Sequence, residues 1–189
     1  MQTTERIKTD LSKFKNDWYS TGASLPKQVL WYFTNIVFFI NPLNPLSFLK
    51  VRLLRLFGAK IGEGVVIKPQ VNIKYPWKLE IGNHTWIGEH VWIDNLATVR
   101  IGSHATLSQG AMLLTGSHNY KKVAFDLIVG DIIIEEGAWV GAKAVVCPGV
   151  TCHSHAVLSV SSVATKDLEA YQIYQGNPAV KKRERTIDN

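Results

Sequence analysis

The sequence predicts an all-β solenoid, a parallel coil of short strands with three to a turn, carrying a helical segment at its N-terminal end. Two observations carry that prediction. From Ile61 onward the chain repeats every six residues, with Ile, Leu or Val in the first slot and Ala, Val, Thr or Ser in the fifth. Neither the 3.6-residue period of a helix nor the two-residue alternation of a strand produces that pattern, whereas a hexapeptide β-helix does. The residues before Ile61 lack the repeat altogether.

The repeats fall at 61–66, 67–72, 81–86, 87–92, 101–106, 107–112, 134–139, 140–145 and 146–151. Each hexapeptide forms one flat face, and three faces close a triangular coil. The aliphatic residue points inward and stacks on its neighbours above and below, while the small fifth residue fits where the corner is tight. Gly in slots two and four suits turns that ask for positive φ. Two stutters, Leu79-Glu80 and Val99-Arg100, each add two residues, which predicts small bulges there. A longer interruption at 119–133 reads as a loop, and a loop on a solenoid usually marks the functional face.

The flanks differ. Leu25-Pro26 opens a helix running through Ile40, with Pro in its first turn. Asn41-Pro42 and Asn44-Pro45 are turns, and a second, amphipathic helix over 47–57 ends at Gly58. Near the C-terminus, Asn177-Pro178 reads as an N-cap followed by Pro at the first helical position, so a short basic helix is expected over 179–185. The organisation is a helical segment at 1–58, the β-helix at 59–166 with its loop at 119–133, and a tail at 167–189.

The 189 residues suffice for one cored domain and an appendage, and 46% hydrophobic content against 19% charged excludes disorder as the default. The net charge of +6 favours anionic partners, with basic residues crowded into 50–60 and 181–185. No basic tract interleaved with aromatics points to nucleic acid. Cys147 and Cys152 are too few for a disulfide scaffold and read as reduced thiols of a cytosolic protein. Cys152 takes an inward slot as a small hydrophobe, and Cys147 an outward one. Met1 to Thr9 lacks the apolar core of a secretory signal. The apolar run 29–40 is shorter than the about 20 residues a membrane span needs.

Six histidines occur. His84, His90, His104 and His155 fill fourth slots and His153 a second, where they read as exposed turn residues. His118 closes the repeat Leu113-Leu114-Thr115-Gly116-Ser117-His118, where the coil opens into the loop, and Gly116 and Ser117 leave room for a ligand.

These stretches resemble the hexapeptide-repeat acyltransferases, in the branch of galactoside, maltose and exopolysaccharide O-acetyltransferases. The resemblance rests on Leu114-Thr115-Gly116-Ser117-His118-Asn119-Tyr120, on Ala138-Trp139-Val140-Gly141-Ala142 with Val146-Cys147-Pro148-Gly149-Val150-Thr151, and on Ser162-Val163-Ala164-Thr165-Lys166-Asp167 followed by Gly176-Asn177-Pro178-Ala179. It covers about the last 130 residues. The block from Trp31 to Gly58, with Asn-Pro-Leu-Asn-Pro, is most similar to the colanic-acid-type members. The resemblance implies a left-handed coil, a homotrimer, and transfer of an acetyl group from acetyl-CoA with no metal.

On that resemblance His118 is the general base, and the backbone N–H groups around Gly141 and Ala142 receive the developing oxyanion. Trp139 walls the site. Val160, Thr165 and Lys166 lie along the coenzyme A path, and Arg183 meets its 3′-phosphate. Asp94, Asn95, Ser117 and Asn119 are the implied acceptor contacts. Two departures stand out: Asn119 replaces the family's frequent Asp, and Leu158-Ser159-Val160-Ser161 replaces an Ile-Gly-Ala-Gly pattern at the coenzyme A rung. The implied setting is cytoplasmic, with peripheral contact at the inner membrane face. The competing readings are N-acetylation of a nucleotide-linked amino sugar, serine acetylation, a zinc hydratase and a non-catalytic scaffold at the membrane surface.

Overall fold

The computed structural model describes residues 6–188, so the reading of Met1 to Thr9 as free of a secretory core lies largely outside the described residues. The repeat becomes three parallel sheets wrapped into a prism. The first face stacks Lys60–Ile61, Leu79–Ile81, Val99–Ile101, Ile132–Ile134 and Thr151–Cys152. The second stacks Val66–Ile67, Trp86–Ile87, Thr106–Leu107, Trp139–Val140, Val157–Leu158 and Gln172–Gln175. The third stacks Asn72–Ile73, Trp92–Asp94, Met112–Leu114, Val145–Val146 and Val163–Ala164.

The slot assignments hold. First-slot Ile67, Ile87, Leu107, Val140 and Val146 and fifth-slot Val71, Thr85, Ala105, Ala138 and Ala144 are all buried, forming a core that runs the length of the coil. The fourth slot is left-handed whatever residue fills it: Gln70, His84, His90, His104, Lys143 and His155 have φ between 53° and 61°. The second-slot glycines have a different cause from the one expected, because they do not carry positive φ. They are required by space: a Cβ on Gly82 would lie 2.4 Å from the Ser103 nitrogen, and one on Gly102 2.6 Å from that of Glu136.

The two stutters do not bulge the strands. Leu79, Glu80 and Ile81 pair in register with Val99, Arg100 and Ile101. The extra residues sit in the corner between third and first faces, as a 3-10 turn at Pro76–Lys78 and a bend at Leu96 and Ala97. The long loop leaves the next coil at that same corner.

Helix α1 (Leu25–Thr34) continues into a π-helical stretch, Asn35–Ile40, and α2 (Ser47–Leu56) follows. The pair caps the first coil, whose backbone groups have no coil below to bond. Trp31 Nε1 donates to the Ile73 carbonyl at 2.9 Å, Lys50 Nζ to Lys68 at 2.8 Å, and Arg55 to Ile61 and Gly62. Ser47 Oγ accepts from the Ile67 N–H at 2.8 Å. The basic cluster at 50–60 is therefore partly structural: Lys50 is buried, Arg55 is committed to the cap and Lys60 pairs with Glu80.

At the other end the expected basic helix is a strand. Val180–Glu184 pairs antiparallel with Gln172–Gln175, through a turn at 176–179 containing a cis Asn177-Pro178 bond. Seven residues are too few for a helix to hold by itself, whereas Gln172–Gln175 offers an open edge of N–H and C=O groups. Cys147 and Cys152 are both free, and burial pushes the Cys152 thiol up to about 12.

Gly82→Ala should destabilise the coil by about 1–3 kcal/mol, since the new methyl meets backbone that cannot move aside; a fall in Tm measures it. Burial pulls the Lys50 ammonium from 10.5 down to about 8. Between those values the unfolded chain binds the extra proton, so this group's contribution to stability rises with pH. The stability of the wild type relative to Lys50→Met should therefore increase from about pH 8 to about pH 10. A difference constant across that range would contradict the assignment.

Candidate active site

The loop begins as a β-hairpin, Gly116–His118 paired antiparallel with Leu127–Val129. Thr115 roots it: its hydroxyl donates to the Asp94 carbonyl at 2.9 Å and accepts from the Ala97 N–H at 2.9 Å. Gly116 packs against the Leu96 side chain, where a Cβ would require the Leu96 methyl to shift. His118 therefore stands on a short braced strand.

The imidazole is clasped on both sides. Its ring stacks on Phe125 at 4.5 Å between centroids and 10° between planes, and Phe14 packs at 5.8 Å and 56°. His118 Nδ1 lies 2.9 Å from the Phe125 carbonyl oxygen. A carbonyl can only accept, so Nδ1 carries the proton and Nε2 holds its lone pair. That is the tautomer a general base requires.

Neither Phe14 nor Phe125 was singled out by the sequence. Phe125 lies inside the interruption that marked the functional loop, but nothing ranked it there. Phe14 carried no signal, because its contact depends on the N-terminal segment climbing the corner. The Asp10 N–H donates to the Val123 carbonyl at 2.9 Å, the Tyr19 hydroxyl to Leu96 at 2.9 Å, and Trp77 Nε1 to Thr21 at 2.7 Å.

The other expected site residues lie as follows. Ser117 is exposed beside the histidine, while Asn119 closes the hairpin, its N–H on the Asp126 carbonyl and its side chain accepting from Lys121. Asp94 pairs with Lys74 at 2.9 Å. Asn95 is fully buried with both amide atoms on the Tyr75 backbone, at 2.9 and 2.6 Å, and presents no surface to a substrate. Its place in the chain is structural.

Trp139, Gly141 and Ala142 lie elsewhere, at the second face and its corner with the third. The Trp139 ring is exposed and donates to Ser108 Oγ at 2.8 Å, a partner the sequence did not indicate. The Gly141 N–H is taken by the Leu158 carbonyl at 2.7 Å, so it is not free to receive an oxyanion. The Ala142 N–H makes no hydrogen bond to a described residue. Val160, Thr165, Lys166 and Arg183 are exposed higher on the prism, and Lys166 and Arg183 form no ion pair among the described residues. Within one chain, His118 and Ala142 stand at opposite edges of the third face, separated by on the order of 15 Å of strand.

No family model matches the chain. It is 39% identical over 176 residues to WcaF of Escherichia coli (strain K12), whose name assigns it to colanic acid biosynthesis as an acetyltransferase; the match covers 93% of this chain and 97% of that one. The chain belongs to the hexapeptide-repeat acetyltransferases, in the colanic-acid-type branch. It is an acyltransferase that uses acetyl-CoA. A galactoside O-acetyltransferase of Escherichia coli is 25% identical over 134 residues, 67% of this chain and 64% of that one. Among solved structures, a hexapeptide-repeat acetyltransferase of Vibrio cholerae superposes with a TM-score of 0.78 at 22% identity, covering 88% of this chain and 96% of that one. A galactoside acetyltransferase in complex with coenzyme A superposes at 0.75 and 23% identity, covering 85% and 82%. Such superposition shows that this acetyltransferase winds with their hand. Among its described residues no three His, Cys, Asp or Glu groups are placed to hold a metal ion.

Removing the Phe14 ring should loosen the imidazole without changing its proton. Phe14→Ala is expected to lower kcat/KM by about five- to tenfold, the equivalent of about 1 kcal/mol of aromatic packing. An unchanged kcat/KM would mean that the Phe14 ring does not hold the imidazole in place.

Proposed function

We propose that this acetyltransferase acetylates a sugar hydroxyl during exopolysaccharide or capsule biosynthesis, with His118 as general base. The observation that carries the reading is the bond from His118 Nδ1 to the Phe125 carbonyl, which leaves Nε2 ready to accept a proton. The name of the WcaF relative supports a polysaccharide acceptor.

In this reaction Nε2 takes the hydroxyl proton as the sugar oxygen bonds to the thioester carbon. The Ala142 N–H stabilises the negative charge that builds on the carbonyl oxygen. The carbon–sulfur bond then breaks, and the imidazolium returns its proton to the departing thiolate. Ser117, Asn119 and Asp94 orient the acceptor, and Trp139 walls the reacting centre. Val160, Thr165 and Lys166 follow the pantetheine arm, and Arg183 meets the phosphate end.

Because His118 and Ala142 stand at opposite edges of one face, the site is completed by a second chain. A homotrimer does this by bringing the loop corner of one protomer to the Ala142 corner of the next. The outward side of the third face above Trp92 fits such burial, since Met112, Val145 and Val163 make it apolar. Acetyl-CoA places the reaction in the cytoplasm. No helix among the described residues is long and apolar enough to cross a membrane. Leu30, Phe33, Val37, Ile40, Leu43 and Phe48 nevertheless leave the helical cap with an exposed apolar surface, which supports peripheral attachment to the inner membrane face and a lipid-linked acceptor.

Thiol release from acetyl-CoA, across a panel of saccharides and lipid-linked oligosaccharides, should depend on an acceptor. It should fall by about 10²–10⁴ in His118→Ala. Undiminished release in that variant would remove His118 as the base. The wild type should sediment as a trimer and float with anionic vesicles; an active monomer would contradict the shared site, and absence from the vesicle fraction the membrane contact.

A further inference from the structure

Beneath the histidine loop, between α1 with its π-helical extension and the outward side of the third face, lies a cavity of about 510 Å³. A volume of about 300–1,000 Å³ is typical of a site for a small organic ligand, and a disaccharide is of that size. Tyr32 and Trp92 present exposed rings to the cavity and Tyr75 closes its upper corner. Its floor is polar. Asn35 is 93% buried (7% exposed), donates through Nδ2 to Asn72 Oδ1 at 2.8 Å, and leaves its own Oδ1 buried with no donor. Asp94 Oδ1, 2.9 Å from Lys74 Nζ, is buried and receives no well-directed hydrogen bond, so its contact with the lysine is one of charge.

A buried acceptor without a donor, as Asn35 Oδ1 is, is expensive to maintain unless a ligand supplies an O–H or N–H group. An anion would meet these acceptor oxygens, and the cation in the lining, Lys74, is already paired with Asp94. A wholly apolar ligand would leave Asn35 Oδ1 unpaired. A sugar supplies several hydroxyl donors, and its C–H faces stack on aromatic rings. The cavity also lies on the route to the base: Asp94 is in register with Leu114, which leads into the histidine hairpin.

We propose that this cavity is a glycan subsite that holds a neutral sugar unit of the acceptor, remote from the one acetylated, with Asn35 and Asp94 accepting from its hydroxyls and Tyr32 and Trp92 stacking on its faces. The proposal rests on the sugar O-acetyltransferase reading and sets its substrate class: an oligosaccharide or longer chain rather than a free monosaccharide. Because Tyr32 and Asn35 come from the helical cap, acceptor length is selected by a part of the chain outside the β-helix.

The test is binding of neutral di- to hexasaccharides of hexoses and deoxyhexoses to the full chain, by calorimetry, with the monosaccharides as controls. The wild type should bind oligosaccharides more tightly than monosaccharides, and Tyr32→Ala and Asn35→Ala should each weaken oligosaccharide binding at least tenfold. In turnover the same variants should raise KM for oligosaccharides. Tyr32→Ala removes an exposed ring and keeps the proposal testable if Asn35→Ala, which also breaks the bond to Asn72, fails to fold. Oligosaccharide affinity equal to that of monosaccharides, or undiminished in Tyr32→Ala, would overturn the subsite. So would a crystal soaked in these saccharides with only water on Asn35 Oδ1. Failure of the underlying reading registers separately, as no acceptor-dependent thiol release by the wild type.

Discussion

Each coil of this protein hands its backbone hydrogen bonds to the coils above and below, and that vertical ladder governs the rest. The Gly62, Gly82 and Gly102 N–H groups donate to the carbonyls of Ile81, Ile101 and Ile134, one coil on. Strands that pair in this way cannot absorb an insertion without losing the ladder, so extra residues must leave at a corner. The corner between third and first faces takes them all, first as two short turns and then as the hairpin that bears His118. At Gly62, Gly82 and Gly102 the ladder also brings the next coil's backbone too close for a Cβ. The position of His118 and the spacing of these glycines thus share one cause.

A ladder has two ends, and both shape the molecule. At the N-terminal end the open carbonyls are met by Trp31, Lys50 and Arg55, so charges that look like a ligand patch in the sequence belong partly to the cap. The cap lies against the third face, so Tyr32 and Asn35 line a cavity together with Trp92 and Asp94. At the other end, the free edge of Gln172–Gln175 draws the C-terminal residues into a strand.

The repeat made the coil legible, because a buried first and fifth slot leaves a period of six that nothing else produces. The place of His118 at the root of the loop was legible for a related reason, since it stands where the period breaks. Contacts between segments distant in sequence left no periodic trace. Phe14 reaches His118 across more than a hundred residues, and nothing in its neighbours announces it. The bonds of Asn95 and of the Gly141 N–H to neighbouring coils left no such trace either. Each stands where a functional residue is expected, yet its polar groups are taken by the coil next to it. The C-terminal turn residues were read locally as a helix start, when an unpaired sheet edge decided the outcome.

The account's central claim is that one chain supplies the base and the next supplies the oxyanion donor and the Trp139 wall. Mixing subunits tests it most directly. His118→Ala and Trp139→Ala are each made as inactive homotrimers, then unfolded and reassembled together at equal amounts. If the site is shared between neighbours, random assembly leaves about one site in four with both halves intact, and activity returns to about a quarter of wild type. If the mixture stays as inactive as its two components, base and wall come from the same chain and the shared site is wrong.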